Sequence, residues 1–328
     1  INIFGADHHG YIPRLTSAFD VMKNNHQNIE FILYQLVNLY EDGIKKMMST
    51  RRGEFYSLSD LREELGSDVI KFFFLEKKSE NSNINLVFFH ATGFNAKTYE
   101  ILFDKLNQHF GDAISIYALD QRGHGLSTAQ ADPNELNSWQ TFVDDGNEFL
   151  NSIEGSVVCS GHSMGSIIAA KIASLHPDKV SHLYMIEPVL YGPFESLKFR
   201  FMSFIKYNRG LSIADGAAKR RREFPAIEDA LTSYTGRGAF TTWDKEWIED
   251  YLEGGTLETS SGVELSCSPE WEAATFRSSS MDTWRYLKKI KIDVMVVYGK
   301  FGSTFSAQAR RVLFRLGHNW HSKYYEKA

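Results

Sequence analysis

The sequence has only two cysteines, Cys159 and Cys267, in 328 residues. Two thiols cannot build a disulfide framework, so a reducing compartment, the cytoplasm, is the expected setting. No apolar run reaches about 18 residues, so no membrane-spanning helix is expected. No basic segment followed by an apolar one opens the chain, and no secretion signal is read there. Residue 1 is Ile rather than Met, which suggests a fragment or a processed chain. Neither sign of charge dominates: 36 Lys and Arg against 41 Asp and Glu leave a net charge of −5. That balance gives no electrostatic basis for a nucleic-acid or membrane-surface partner. Repeats and low-complexity tracts are missing too. What remains is an ordinary globular mixture, 43% apolar and 23% charged, with aromatics at 14% that favour a deep core or an apolar pocket. The length suggests about two domains.

The clearest shift in composition is the polar stretch Lys77–Asn83, read as a boundary between residues 1–80 and 81–328. Ahead of it, Ile29–Leu36 is a strand or a buried helical turn, since period alone does not decide. Ser57 to Leu65 has the marks of a capped helix, and Asp68–Leu75 those of a second. His8 and His9 beside Asp7 are poor metal ligands, because adjacent side chains project in different directions on any regular element. Three blocks stand out in order: GADHHGYIPRL (Gly5–Leu15), KKMMSTRRGEF (Lys45–Phe55) and LSDLREELGSDVIKFFFL (Leu58–Leu75). Together they resemble the later half of the catalytic domain of arginyl-tRNA synthetases, the second block being similar to the KMSKS loop. The resemblance implies part of a Rossmann-like domain that binds ATP and tRNA. The HIGH motif and the tRNA-binding domains of that family are missing, and Met47 stands where many relatives carry a lysine. Residues 1–80 therefore read as a non-catalytic remnant.

After Asn83 the pattern becomes strand, turn, helix, which indicates an α/β fold with a parallel sheet covered on both faces. Strands are predicted over Ile84–Phe89, Ile114–Leu119, Val157–Ser160, Leu183–Ile186 and Ile292–Tyr298. Helices are predicted over Thr98–Phe110, Trp139–Ile153 and Ser166–Leu175, with several more between residues 195 and 287. The decisive motif is Gly161-His162-Ser163-Met164-Gly165, set between an apolar strand and an apolar helix. A serine hydroxyl becomes a useful nucleophile when a sharp turn lifts it clear of the sheet. Glycines two positions to either side permit that turn, and the helix start aims free N–H groups at a developing oxyanion. His90-Ala91-Thr92-Gly93-Phe94 follows the first strand, where the N–H of Thr92 or Ala91 can serve beside that of Met164. In the loop Asp120–Ser127, the residues Asp120, Arg122 and His124 read as structural.

These motifs resemble those of the α/β-hydrolase family over residues 84–328. The resemblance implies a serine hydrolase of esterase or lipase type, without cofactor or metal, acting on a small acyl substrate of apolar character. Dehalogenase and epoxide hydrolase chemistry need a carboxylate where Ser163 stands; thioesterase or carbon–carbon hydrolase chemistry stays open. Residues of about 190–287 would form a helical cap, in which Trp243, Trp247, Trp271, Phe276 and Trp284 could line a pocket. The basic run Lys219–Arg222 reads as a solvated helix face, with binding of an anionic substrate as the alternative.

A catalytic serine needs a base and an acid that orients it. The family's usual acid site follows Ile292–Tyr298, but Gly299–Thr304 holds no carboxylate. Glu187 is the best substitute and Asp282 a weaker one. Of 11 histidines, only His318 and His321 remain as candidates for the base. With a helix over Thr304–Leu316 and a last strand over Lys323–Lys327, both fall at the strand's lower end, about 16 Å from the active edge. On this reading the family's histidine would come just beyond Ala328, and two family strands before Ile84 are replaced. The expectation is a join of two unrelated coding sequences, truncated at both ends, with impaired activity; a natural fusion is the rival. A catalytically dead binding protein using the capped pocket is the further alternative.

Overall fold

The computed structural model describes residues 2–5, 31–34, 39–41, 44–46, 84–196, 211–279, 282–317 and 319–326. The backbone divides into two units, Ile1–Ser82 and Asn83–Ala328. In the first, β1 (Asn2–Gly5) pairs in parallel with β2 (Phe31–Tyr34), which settles Ile29–Leu36 in favour of a strand. A short antiparallel pair follows, β3 (Leu39–Glu41) with β4 (Ile44–Lys46). The helices predicted over Ser57–Leu65 and Asp68–Leu75 lie outside the described residues, as do His8, His9 and Met47.

The second unit is built on a six-stranded sheet. Its strands are β5 (Ile84–Phe89), β6 (Ile114–Leu119), β7 (Val157–His162), β8 (Val180–Ile186), β12 (Asp293–Gly299) and β13 (Trp320–Tyr325). They lie in the order β13-β12-β8-β7-β5-β6, every pairing parallel. Parallel strands require crossovers, and α1 (Glu100–Phe110), α2 (Gln140–Asn151) and α3 (Met164–Leu175) supply those among β5 to β8. Because both faces are covered, β7 is buried along nearly its whole length and β5 from Leu86 to Phe89. Helix α3 is buried on all sides from Met164 to Ala173. Its one charged group, Lys171, is 1% exposed and donates to Asp282 at 2.8 Å, which offsets the desolvation of the ammonium group.

Three predictions fail here. The last strand is Trp320–Tyr325, not Lys323–Lys327. It is an edge strand with one buried residue, Trp320, so it needs no continuous apolar run. The segment between β8 and β12 is not all helical. Besides α4 (Leu211–Ala217), α5 (Ile227–Tyr234), α6 (Lys245–Gly255), α7 (Pro269–Arg277) and α8 (Trp284–Leu287), it carries a small antiparallel sheet. That sheet orders β10 (Thr256–Thr259), β11 (Gly262–Leu265) and β9 (Glu223–Phe224). The run Lys219–Arg222 lies between α4 and β9, outside any helix. Helix α9 (Ala307–Leu313) precedes the last strand.

Buried histidines tie the loops at the sheet's C-terminal edge. His90 Nδ1 donates to Ala91 O at 2.8 Å, and its Nε2 accepts from the Gln121 N–H at 3.0 Å, which fixes the neutral tautomer. His124 Nδ1 donates to Arg122 O at 3.0 Å, and its ring lies 5.0 Å from that of His90. His162 Nδ1 pairs with Tyr99 Oη at 2.8 Å. Asp120 holds the same region by accepting from the N–H of Ala96 and of Leu126 at 2.7 and 2.9 Å. Arg122 forms a two-point bond to Asp145 at 3.0 and 2.7 Å.

Burial lowers the pKa of His90 and His162 to about 4 and that of His124 to about 3. Unfolded, these rings protonate near pH 6.5. Their contribution is complete above that pH and declines as pH falls, until the folded rings themselves protonate. Each pH unit in that window costs about 1.4 kcal/mol per histidine. Urea unfolding between pH 7 and pH 5 should show this loss, and His124→Gln should remove about one proton from the slope. An unchanged slope would contradict the assignment. A second expectation concerns Gly165. A Cβ there would overlap the carbonyls of Phe89 and His90, backbone that cannot retreat. Gly165→Ala should cost about 3 kcal/mol, read as a lower urea midpoint.

Candidate active site

Strand β7 ends at His162 and α3 begins at Met164, leaving one residue to reverse the chain. That residue is Ser163, at φ 54 and ψ −115. A non-glycine residue in this region is strained by about 1–3 kcal/mol and persists only where its surroundings over-determine it. Here they do. A Cβ on Gly161 would overlap the Gly165 carbonyl, and one on Gly165 would overlap Phe89, so the two glycines permit contacts that no other residue allows. The Ser163 N–H donates to Ile186 O at 2.9 Å, and Ser166 Oγ donates to the same carbonyl at 2.9 Å.

The loop after β5 makes a tight turn in which the Phe94 N–H donates to Ala91 O at 3.1 Å. Gly93 takes φ +76 at the third position of that turn, as a type II geometry requires. Of the two N–H groups named from sequence, that of Ala91 donates to Tyr99 Oη at 3.1 Å. Thr92 Oγ1 donates to Met164 Sδ at 3.3 Å, joining this loop to the first residue of α3. The Met164 N–H belongs to the first turn of the helix and has no acceptor within it.

Glu187 is the other described non-glycine residue with positive φ, at 43. Its side chain leaves the end of β8 and crosses to the loop after β12. There it accepts from the Gly299 N–H and, at 2.7 Å, from Ser303 Oγ. The loop that holds no carboxylate of its own thus binds one from the neighbouring strand. Ser163, Thr92 and Glu187 line a single cavity of about 740 Å³. Its opposite wall comes from the segment between β8 and β12 and includes Arg220, Tyr234, Arg237, Tyr251, Glu272 and Phe276.

Other candidates fall elsewhere. His321 pairs with Met295 while Tyr325 pairs with Gly299, so His321 lies four residues, about 13 Å, below the active edge. Its side chain is exposed. His318 lies outside the described residues. Asp282 is bonded to Lys171 and to Arg285, away from the cavity. Trp243 and Trp247 line a smaller neighbouring cavity of about 330 Å³. Trp271 and Trp284 are core residues whose indole N–H groups bond Arg122 O and Tyr191 O at 2.9 and 2.8 Å. Of the aromatics predicted to line the pocket, only Phe276 does so in the larger cavity. Sequence reasoning missed Ser303 as a holder of Glu187. It also missed Arg220, which turns inward from its basic run onto Glu272; nothing in a row of four cations distinguishes the one that does so.

The family described as serine aminopeptidase, S33, matches residues 80–220. The E-2-(acetamidomethylene)succinate hydrolase structure superposes with a TM-score of 0.60 at 22% identity, covering 75% of this chain and 84% of that one. A novel esterase from Mycobacterium tuberculosis gives 0.54 at 19% identity, covering 74% and 76%. The arginine–tRNA ligase of Vesicomyosocius okutanii is 48% identical over 87 residues, 26% of this chain and 15% of that protein. The chain thus spans about 15% of the length of that curated relative. Among the described residues no helix is long and apolar enough to cross a membrane. The chain therefore combines an α/β-hydrolase fold, over about three quarters of its length, with a shorter stretch similar to part of the arginine–tRNA ligases.

Proposed function

We propose that the second unit is a serine hydrolase that cleaves an ester or related acyl bond of a small molecule, acting in the cytoplasm. The observation that carries this reading is the strained Ser163, raised at the head of a buried helix into a cavity shared with Thr92. In this scheme Ser163 Oγ attacks the acyl carbon and gives its proton to a base. The N–H groups of Thr92 and Met164 stabilise the oxyanion, the alcohol leaves, and water then cleaves the acyl-enzyme. Glu187, held on the loop after β12, is the acid that would orient the base. The stretch similar to arginine–tRNA ligases is assigned no ligase activity, since it covers so little of that enzyme.

His90, His124 and His162 are buried and engaged with other groups, and no described imidazole is bonded to Ser163 Oγ. Loss of one triad member typically leaves about 10³–10⁴-fold acceleration over water, from the oxyanion hole and binding. The described chain should accordingly hydrolyse p-nitrophenyl butyrate slowly. Added imidazole should raise that rate at least about tenfold by supplying the base. Ser163→Ala should abolish both rates, while Glu187→Gln should remove only the imidazole enhancement. A rate independent of Ser163 would favour the second reading, a binding protein that uses the same capped cavity without chemistry.

A further inference from the structure

The wall of the cavity that faces Ser163 holds a polar cluster that the acyl-transfer scheme does not use. Arg220 Nη1 donates to Glu272, and its Nη2 donates to Tyr234 Oη at 2.8 Å and to Tyr251 Oη at 2.7 Å. Side chains of Arg220 and Glu272 are 21% and 9% exposed. Each phenol oxygen therefore spends a lone pair on the guanidinium and keeps its own O–H proton to give. Among the described residues neither phenol is bonded to an acceptor for that proton. A cationic donor on the oxygen strengthens the O–H as a donor in turn. Two such donors on one guanidinium, open to one cavity, match the two oxygens of a carboxylate.

Charge favours the same ligand. Glu272 offsets Arg220, while Arg237 lines the same cavity as a second cation. The carboxylate of Glu187 is engaged on the opposite side by Gly299 and Ser303. The cap wall, with Arg220 and Arg237 against Glu272, thus carries one net positive charge. That suits a monoanionic carboxylate better than a dianionic phosphate, which Glu272 would repel. Phe240 and Phe276 flank the cluster with apolar surface suited to a short methylene chain.

We propose that Tyr234, Tyr251 and Arg220, with Arg237, form a carboxylate-recognition site, so that the substrate is an acyl compound bearing a second, free carboxylate, such as a dicarboxylic acid hemiester. This deepens the hydrolase reading, because the site shares the cavity of Ser163. It replaces a purely apolar substrate with one that is apolar in the middle and anionic at one end.

Binding tests this without turnover, so failure of Ser163 chemistry would leave the result standing. Titration calorimetry on the full chain should show glutaramate, a monoanion, binding at least tenfold tighter than neutral glutaramide, and tighter than inorganic phosphate. Tyr234→Phe combined with Tyr251→Phe removes both donors while keeping the rings, and should weaken glutaramate at least tenfold with no change for glutaramide. Arg237→Gln, at an exposed position, should weaken glutaramate severalfold and serves if the double variant does not fold. The proposal is overturned if glutaramate does not bind the unaltered chain, if glutaramide binds equally well, or if phosphate binds tighter. It is also overturned if folded variants bind glutaramate as before, in which case the cluster only fastens the cap over Gly93, where Glu272 and Arg220 stand against the loop.

Discussion

The close approach of Gly165 to the backbone carbonyls of Phe89 and His90 sets where Ser163 stands. Helix α3 can begin directly above the sheet only because no side chain intervenes there, and that leaves Ser163 alone to reverse the chain. The turn is uphill by itself. Burial of Ile167, Ile168 and Ile172 behind it, each worth about 1.5–3 kcal/mol, supplies the stability that holds it. Tyr99 then couples the loop after β5 to the end of β7, accepting from Ala91 and pairing with His162. Geometry at Ser163 is thus a property of the core.

The setting of Glu187 follows a different logic. The loop Gly299–Thr304 lies where a carboxylate is expected and has none, yet it retains the donors that a carboxylate needs. Glu187 reaches them because β8 and β12 are neighbours in register, with Ile186 opposite Val297. Two residues in unusual backbone conformations, Ser163 and Glu187, consequently lie at the ends of adjacent strands and line one cavity. Backbone strain concentrated in this way is characteristic of functional sites.

Much of this was legible in the sequence where local pattern and burial agree. Strands β5 and β6 have the bounds that their apolar runs predict, since one polar residue each, Asn85 and Ser115, does not interrupt the run even though β6 is a half-buried edge strand. The elbow was legible because its two glycines answer to steric contacts visible as a spacing. Strand β13 was not, since an edge strand tolerates His321 and Ser322 and so lacks the expected pattern. The two-residue strand β9 is too short to show any period. Arg220 was misread because a run of cations shows its average setting, while its role depends on which one meets Glu272. Glu187 could be named from its place at a strand end, but its partners across the sheet depend on strand order.

The account stands or falls on whether Ser163 is an activated hydroxyl presented to the cavity. A fluorophosphonate probe reacts with such a serine and leaves an adduct that peptide mass mapping can locate. The account predicts a single adduct on Ser163, formed slowly and faster with added imidazole, lost in Ser163→Ala and strongly reduced in Gly165→Ala. An unlabelled chain, or an adduct spread over other serines, would contradict it.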